Sequence, residues 1–423
     1  MNTSTASKSP VVIGSLLSAM MFLQFFVWGA WYVTVGNFMG AHGMGDQIFW
    51  AYTVGPIAAI ISPFFLGMVA DRFFATQKVL GVMHMAGGLV LLIAPWIART
   101  QHESYWPFVG ILLLHMLCYM PTLGLSNTLA FHNMTNQERQ FPLIRVFGTI
   151  GWIVANIVVS KWLDADSKDL QFYVAGGAGL ALGLFSFMLP HTPPPSAGRA
   201  ATVRDVLGLD SLALLKDPSF AVFMISSFLI CIPLAAYYNY APVFVKAMGF
   251  DNAAYTMSFG QMSEIFFMLV MPLCFVRLGV KWMLAVGMLA WVLRYGFFSG
   301  AADHHIHWLV LVGILLHGVC YDFFFVTGQI YVDKAAHRQI RGQAQGFLVL
   351  VTQGVGMLIG AQVVGRLVNQ YTHMEGETRV GNWQTAWLIP CIMAGIIMLA
   401  FALLFRSKPA MAKPGDELQN QSA

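Results

Sequence analysis

Runs of twenty or so apolar residues recur along this chain from one end to the other, and nothing else in the sequence limits its fold so strongly. A segment of about 20 apolar residues spans the bilayer hydrocarbon as a helix, because no water is present there to satisfy backbone N–H and C=O groups. The runs are too long and too uniformly apolar for the alternating strands, roughly 10 residues each, of an outer-membrane barrel. Charged residues make up 10% of the 423 residues, against about 25% in a soluble domain.

The pattern predicts an all-α membrane protein with twelve transmembrane helices. The first six spans are 11–38, 46–70, 77–98, 105–133, 142–162 and 170–190. The second six are 218–248, 254–276, 282–300, 306–333, 339–370 and 383–405. Only Lys8 precedes the first run, which lacks a small-residue cleavage site, so it reads as a spanning helix and not a removed signal peptide. Segment 191–217 is Pro-rich and then polar, with Pro193-Pro194-Pro195, Arg199, Arg204 and Lys216. That composition suits an aqueous linker and not a packed element. It separates an N-terminal six-helix half, 1–190, from a C-terminal half, 218–405, which is followed by a tail, 406–423.

Lys and Arg fall unevenly about these spans. One side holds only Arg99, Lys161, Lys168, Lys246, Arg366 and Arg379 of the 23. Apart from Arg145 and Arg294, which lie within helices, the rest fall on the other side with the linker and both termini. The positive-inside rule makes that side cytoplasmic. A net charge of +4 without a basic, aromatic-interleaved stripe gives no nucleic-acid footprint. Cys118, Cys231, Cys274, Cys320 and Cys391 all lie in apolar runs without CxxC spacing, so free thiols and no metal site are expected. No phosphate loop, HExxH helix or GxSxG elbow occurs, which argues against an ATP-driven pump or a hydrolase.

The fourth helix contains Leu113-Leu114-His115-Met116-Leu117-Cys118-Tyr119. The tenth contains Leu315-Leu316-His317-Gly318-Val319-Cys320-Tyr321. The shared LLHxxCY pattern falls at the same helix of each half, as a parallel repeat requires. Two parallel six-helix halves are the architecture of major facilitator transporters.

An ionisable group at bilayer depth is a functional candidate by default, because burying it unpaired costs several kcal/mol. Arg145 opens the fifth helix, Glu264 lies within the eighth, Arg294 within the ninth and Asp322 within the tenth. Two acids and two bases allow structural ion pairs, and for Arg294 that plain reading stands level with a functional one. Glu264 and Asp322 suit proton carriage, because a carboxyl whose water access and partner alternate loads and releases a proton. Helical spacing groups Gln24, Trp28 and Trp31 on one face, and Arg145, Thr149 and Trp152 on another. Gln261 joins Glu264, and Tyr321 and Phe325 flank Asp322. Tyr237-Tyr238-Asn239-Tyr240 follows Pro233 in the seventh helix. Rings to stack on and amides to read polar edges suit a small, partly planar solute, although a sugar also stacks on Trp. The plain reading of any single Trp or Tyr is lipid-facing packing. Asp71 and Arg72 end the second helix, where they suit capping or charge pairing. Gly356 and Gly360 suggest close helix packing, and His304, His305 and His307 suit a solvated loop better than a metal site.

Gly67-Met68-Val69-Ala70-Asp71-Arg72 resembles the loop 2–3 signature of the major facilitator superfamily in a degenerate form. A fuller resemblance is to its nucleoside:proton symporter family, the bacterial nucleoside permeases. It is carried by Phe22 to Trp31, Tyr119 to Leu125, Phe141 to Trp152, Gln261 to Glu264, Arg294, Tyr321-Asp322-Phe323 and Gly342 to Gly346. Asp71 to Phe74, Ser263 to Leu269 and Arg294 to Phe298 point to a branch apart from the well-studied permeases. The resemblance implies a nucleoside bound centrally between the halves and imported by a proton gradient across the bacterial inner membrane. The proton would be the coupling ion, with no other cofactor and membrane lipid as surroundings, and the chain is expected to act as a monomer. Arg145, Thr149, Gln261, Glu264, Tyr321 and Asp322 match family positions implicated in binding or coupling. Ala235 and Tyr238 stand where the permeases carry Gln and Asn, and His317 replaces an aromatic partner. Those departures remove amide contacts and bear on base preference. A sugar permease, a non-transporting sensor and an intramembrane enzyme are the competing readings.

Overall fold

The computed structural model describes residues 9–65, 74–100, 104–194, 209–337 and 340–406. Helix α1, Pro10–Ala41, starts where Ser9 accepts a hydrogen bond from Val12 N, and it loosens briefly at Val33 and Thr34. There follow α2 (Ile48–Phe65), α3 (Thr76–Thr100), α4 (Trp106–His132), α5 (Gln137–Asn156) with a π-helical turn at Ile157–Trp162, and α6 (Leu170–Ser186). Helix α7, Pro218–Ala247, is capped by the Asp217 carboxylate, which accepts from Ser219 N and Phe220 N. Helices α8 and α9 are the two arms of the helical run Ala253–Ala302, divided at Gly279. Gly279 has φ 65°, a conformation that side chains disfavour, so a single residue turns the chain between two expected spans. Helix α10 is His307–Ala335 and α11 is Arg341–Tyr371, each containing a π-helical turn. Strands β1 (Thr372–Glu375) and β2 (Thr378–Gly381) form an antiparallel hairpin before α12 (Trp383–Leu404).

Among the described residues, nine helical runs are long and apolar enough to cross a membrane. One of them is the fifty-residue run that Gly279 divides, whereas Leu170–Ser186 is shorter. Large apolar side chains such as Leu269, Val276 and Leu403 point outward, where lipid would cover them.

The helix contacts repeat with a period of six. In the first set, α1 packs on α5 and α6, α3 on α4 and α6, and α2 on α4. In the second, α7 packs on α11 and α12, and the α8–α9 run on α10 and α12. Gly356 and Gly360 bring α11 against Cys231 of α7, where a Cβ on either would meet atoms at 2.9 and 2.8 Å. The two sets share one buried cluster that includes Trp31, Tyr52, Tyr240, Trp291 and Trp387.

The sets meet along α2 and α11, α5 and α8, and α1 and α7. Among the described residues, polar ties between them gather toward one end of the molecule, the end bearing the β-hairpin. Arg379 of β2 is buried, donates to Gly45 O at 2.9 Å and lies 3.3 Å from the Asp46 carboxylate. Asn369 donates to Asp46 O, Lys246 to Ser167 Oγ and Ala254 N to the Asp166 carboxylate. The opposite end carries the α4–α5 turn and Leu209–Lys216, a described part of the linker; we call it the linker end.

Several expectations change. The chain is not purely helical, because the hairpin 372–381 occupies a connection that reads as loop. Part of the linker is a packed element. Leu209–Lys216 is a 3₁₀ helix whose Leu214 and Leu215 lie against the core, since these leucines gain by leaving water. Thr192 is buried and bonds to Asn133, Gln77 and Thr76. Arg145 does not open its helix, because α5 starts at Gln137 on the Asn136 cap. Asp71 and Arg72 lie outside the described residues, as do 195–208 and 407–423.

Candidate functional site

A cavity of about 410 Å³ lies between the two sets and extends from mid-height toward the linker end. Its volume falls in the range of small-molecule sites, roughly 300–1,000 Å³. From the first set, α1 presents Phe25, Trp28 and Tyr32, α4 presents Leu123 and Asn127, and α5 presents Arg145, Thr149 and Trp152. From the second, α7 presents Tyr238, α8 presents Gln261 and Glu264, and α10 presents His317, Tyr321, Phe325 and Gln329. Helix α11 closes the wall with Thr352 and Gln353 among others. A second cavity, beside Pro10, Leu17 and Phe147, has no ionisable side chain in its wall.

Aromatic side chains set the shape of the cavity. Trp28 meets Trp152 and Tyr32 edge to face, with centroids 5.5 and 5.4 Å apart. Such contacts fix each ring and leave another face free to stack on a planar ligand. The two charged groups on the wall come from different sets: Arg145 from α5 and Glu264 from α8. The Arg145 guanidinium lies 4.1 Å from the centroid of the Phe25 ring, a cation–π contact, with no carboxylate beside it among the described residues. Glu264 Oε2 lies 3.8 Å from His317 Nε2. The backbones of α8 and α10 nearly touch here. A Cβ at Gly318 would stand 2.6 Å from Ser263 O, and Gly318 N donates to Ser263 Oγ at 3.1 Å.

The cavity gathers Trp28, Arg145, Thr149, Trp152, Tyr238, Gln261, Glu264, Tyr321 and Phe325 from the residues that the sequence singles out. It leaves others aside. Gln24 is fully buried behind the wall, donating to Thr122 Oγ1 at 2.7 Å and lying 2.8 Å from His84 Nε2. Tyr119 donates to Gln24 O at 2.6 Å, so this network ties α1, α3 and α4. Asn239 is buried outside the cavity wall, with neither amide atom partnered among the described residues. Asp322 is buried on the π-helical turn Tyr321–Val326, and neither carboxylate oxygen has a partner among the described residues.

The pairing of deep acids with deep bases that the sequence allows does not form among the described residues. Arg294 donates from Nε to Gly313 O at 3.1 Å, and its guanidinium lies over the Tyr237 ring at 3.9 Å. An aromatic face and a carbonyl meet this cation in place of a carboxylate. Tyr237 also stacks on His317, with centroids 5.4 Å apart and planes 19° apart. Tyr32, Asn127, Gln329, Thr352 and Gln353 are wall residues that sequence reasoning missed. The i, i+3, i+7 series 25, 28, 32 would have found Tyr32, and the i+4 step from Phe325 would have found Gln329.

Paired helix sets around a central polar cavity, in a chain with this many apolar helices, define a secondary transporter of the major facilitator fold. The chain matches the family described as Nucleoside H+ symporter over residues 12–410. It is 40% identical over 401 residues to YegT of Escherichia coli (strain K12), whose name assigns it to nucleoside transport, covering 92% of this chain and 93% of that protein. It is 31% identical to the nucleoside permease NupG of the same organism, covering 95% of this chain and 98% of NupG. The crystal structure of NupG superposes with a TM-score of 0.81 at 31% identity, covering 94% of this chain and 100% of that one. The chain therefore belongs to the nucleoside H+ symporter family. It is a multi-pass membrane transporter and not an enzyme.

Proposed function

We propose that this chain imports nucleosides together with protons by alternating access, with α1–α12 as its twelve spans. One observation carries the reading: a central cavity that sets Arg145 of one helix set against Glu264 of the other, between aromatic rings and amides. A nucleobase stacks on Trp28, Trp152, Tyr238 or Phe325, and Asn127, Gln261, Gln329 and Gln353 read its polar edge. Arg145 and Thr149 take the ribose hydroxyls. Glu264, on the wall, and Asp322, just behind it, carry the proton, which is the sole coupling ion and needs no further cofactor.

The linker end faces the cytoplasm of a bacterial inner membrane, so both termini are cytoplasmic and this arrangement is inward-open. The hairpin end is the closed outer gate. The protein works as a monomer in lipid. Because Trp28 and Trp152 line the cavity that the ligand enters, nucleosides quench the intrinsic fluorescence of the purified protein saturably, and free ribose or hexoses do not compete. Competition by sugars at the same concentrations as nucleosides would move the assignment to a sugar permease.

A further inference from the structure

The LLHxxCY repeat places His115 and His317 at equivalent positions of α4 and α10, yet the two histidines are used differently. His115 Nδ1 lies 3.0 Å from Gly87 O, its ring packs edge-on to Trp31, and it stays out of the cavity. That is a structural histidine held by its own helix set. His317 Nδ1 has no partner among the described residues, and its Nε2 reaches toward the cavity carboxylate Glu264, 3.8 Å away. The close approach of α8 and α10 at Gly318, the next residue, fixes that spacing.

We propose that His317 and Glu264 hold the transported proton as one shared pair, which makes His317 a second proton-binding residue for coupling. The inference rests on the proton-coupled reading above and extends it to a residue outside it. A proton arriving from outer water adds to the pair and occupies either the carboxyl oxygen or imidazole Nε2. A move of about 1 Å closes the gap to a hydrogen bond of about 2.7–2.9 Å. On the cytoplasmic side the same proton leaves to water, and the pair returns to imidazole plus carboxylate. Nothing else is oxidised, reduced or bonded.

The groups around His317 are few. Glu264 faces it from α8, Tyr237 and Tyr238 from α7, and Tyr321 from its own helix. Arg294 of α9 stands beyond the Tyr237 ring, and Arg145 of α5 lies on the opposite cavity wall. Among the described residues, Glu264 is the one carboxylate in contact with the imidazole. A proton that two sites share is held more tightly than by the carboxyl alone, so without the imidazole coupling needs a higher proton concentration.

The test is the pH profile of gradient-driven uridine uptake into proteoliposomes, in wild type, His317→Gln, Glu264→Gln and the double variant. In His317→Gln the midpoint moves to more acidic pH by about one unit, a tenfold higher proton concentration. Glu264→Gln alone removes the gradient-driven component at every pH, and His317→Gln added to it changes nothing further, because the pair no longer exists. The thermal unfolding midpoint and a single size-exclusion peak report that each variant is folded, and His317→Asn replaces His317→Gln if the latter is not. A His317→Gln profile that superimposes on wild type overturns the shared pair while leaving proton-coupled uptake intact. Wild-type uptake that ignores the gradient overturns the function on which the pair rests.

Discussion

Substituting alanine for Arg379 removes the central tie of the hairpin end. The guanidinium makes two contacts that cross between the helix sets: 2.9 Å to Gly45 O and 3.3 Å to the Asp46 carboxylate. Its other bonds, to Thr372 and Asn369, aim it from within the second set. The bond to Gly45 O is charged and buried, and such a bond contributes about 1.5–3 kcal/mol. The Asp46 side chain is 62% exposed, so that ion pair is screened and contributes about 0–1 kcal/mol. Closure of this end therefore weakens by about 1.5–4 kcal/mol, or roughly 10- to 700-fold in the ratio of open to closed forms at 1.4 kcal/mol per tenfold. Val243 is a suitable reporter. It is buried on α7, and a Cβ on Gly36 of the first set would stand 3.0 Å from its Cγ2. A cysteine at Val243 reacts with a membrane-impermeant maleimide only when this end opens. Arg379→Ala accelerates that labelling at least tenfold over Val243→Cys alone, and the parent protein gives the background from its five native cysteines. Arg379→Lys falls between, because an ammonium keeps the charge and loses the fork. An unchanged labelling rate in Arg379→Ala would refute the role of this arginine in holding the gate.

Three other outcomes are expected. Asp322→Asn abolishes gradient-driven accumulation while uridine exchange at equal pH continues; full accumulation in that variant removes Asp322 from coupling. Gly318→Val forces a Cβ to within 2.6 Å of Ser263 O, which costs about 1–3 kcal/mol and moves Glu264, so both the thermal midpoint and coupled uptake fall; an unaltered midpoint contradicts the close α8–α10 contact. Asp166, in the α5–α6 connection, accepts from Ser160 Oγ and Ala254 N, and burial pushes its carboxyl above the usual range. An acid whose folded pKa is raised contributes stability below its unfolded pKa and loses it as pH climbs toward the folded value. The thermal midpoint of Asp166→Asn relative to wild type therefore rises across that window, and a flat or falling difference counts against the burial.

Most of the helix plan was legible because the length and uniformity of an apolar run report bilayer thickness directly. The expected 306–333 and 383–405 match His307–Ala335 and Trp383–Leu404 within a few residues. The hairpin was not legible, since its strands are four residues each and half exposed. Arg379 therefore read as one more outside charge, although the fold buries it. In the site, residue types were read better than faces. Helical spacing on α1 suggested 24, 28 and 31, whereas the cavity takes 25, 28 and 32, a rotation of the lining stripe by one residue. Which neighbour claims a polar side chain is a tertiary fact: Thr122 and His84 hold Gln24. The π-helical turn at Tyr321–Val326 shifts the register beside Asp322, and local sequence pattern does not announce such a turn.

The central claim is that proton flow drives nucleosides through the Arg145–Glu264 cavity. Uptake of a panel of labelled nucleosides into proteoliposomes, with and without an inward proton gradient, tests it most directly. The account predicts accumulation above the external concentration only with the gradient, collapse on adding a protonophore, and loss of accumulation in Glu264→Gln. Equal nucleoside levels inside and outside, whatever the gradient, would contradict it.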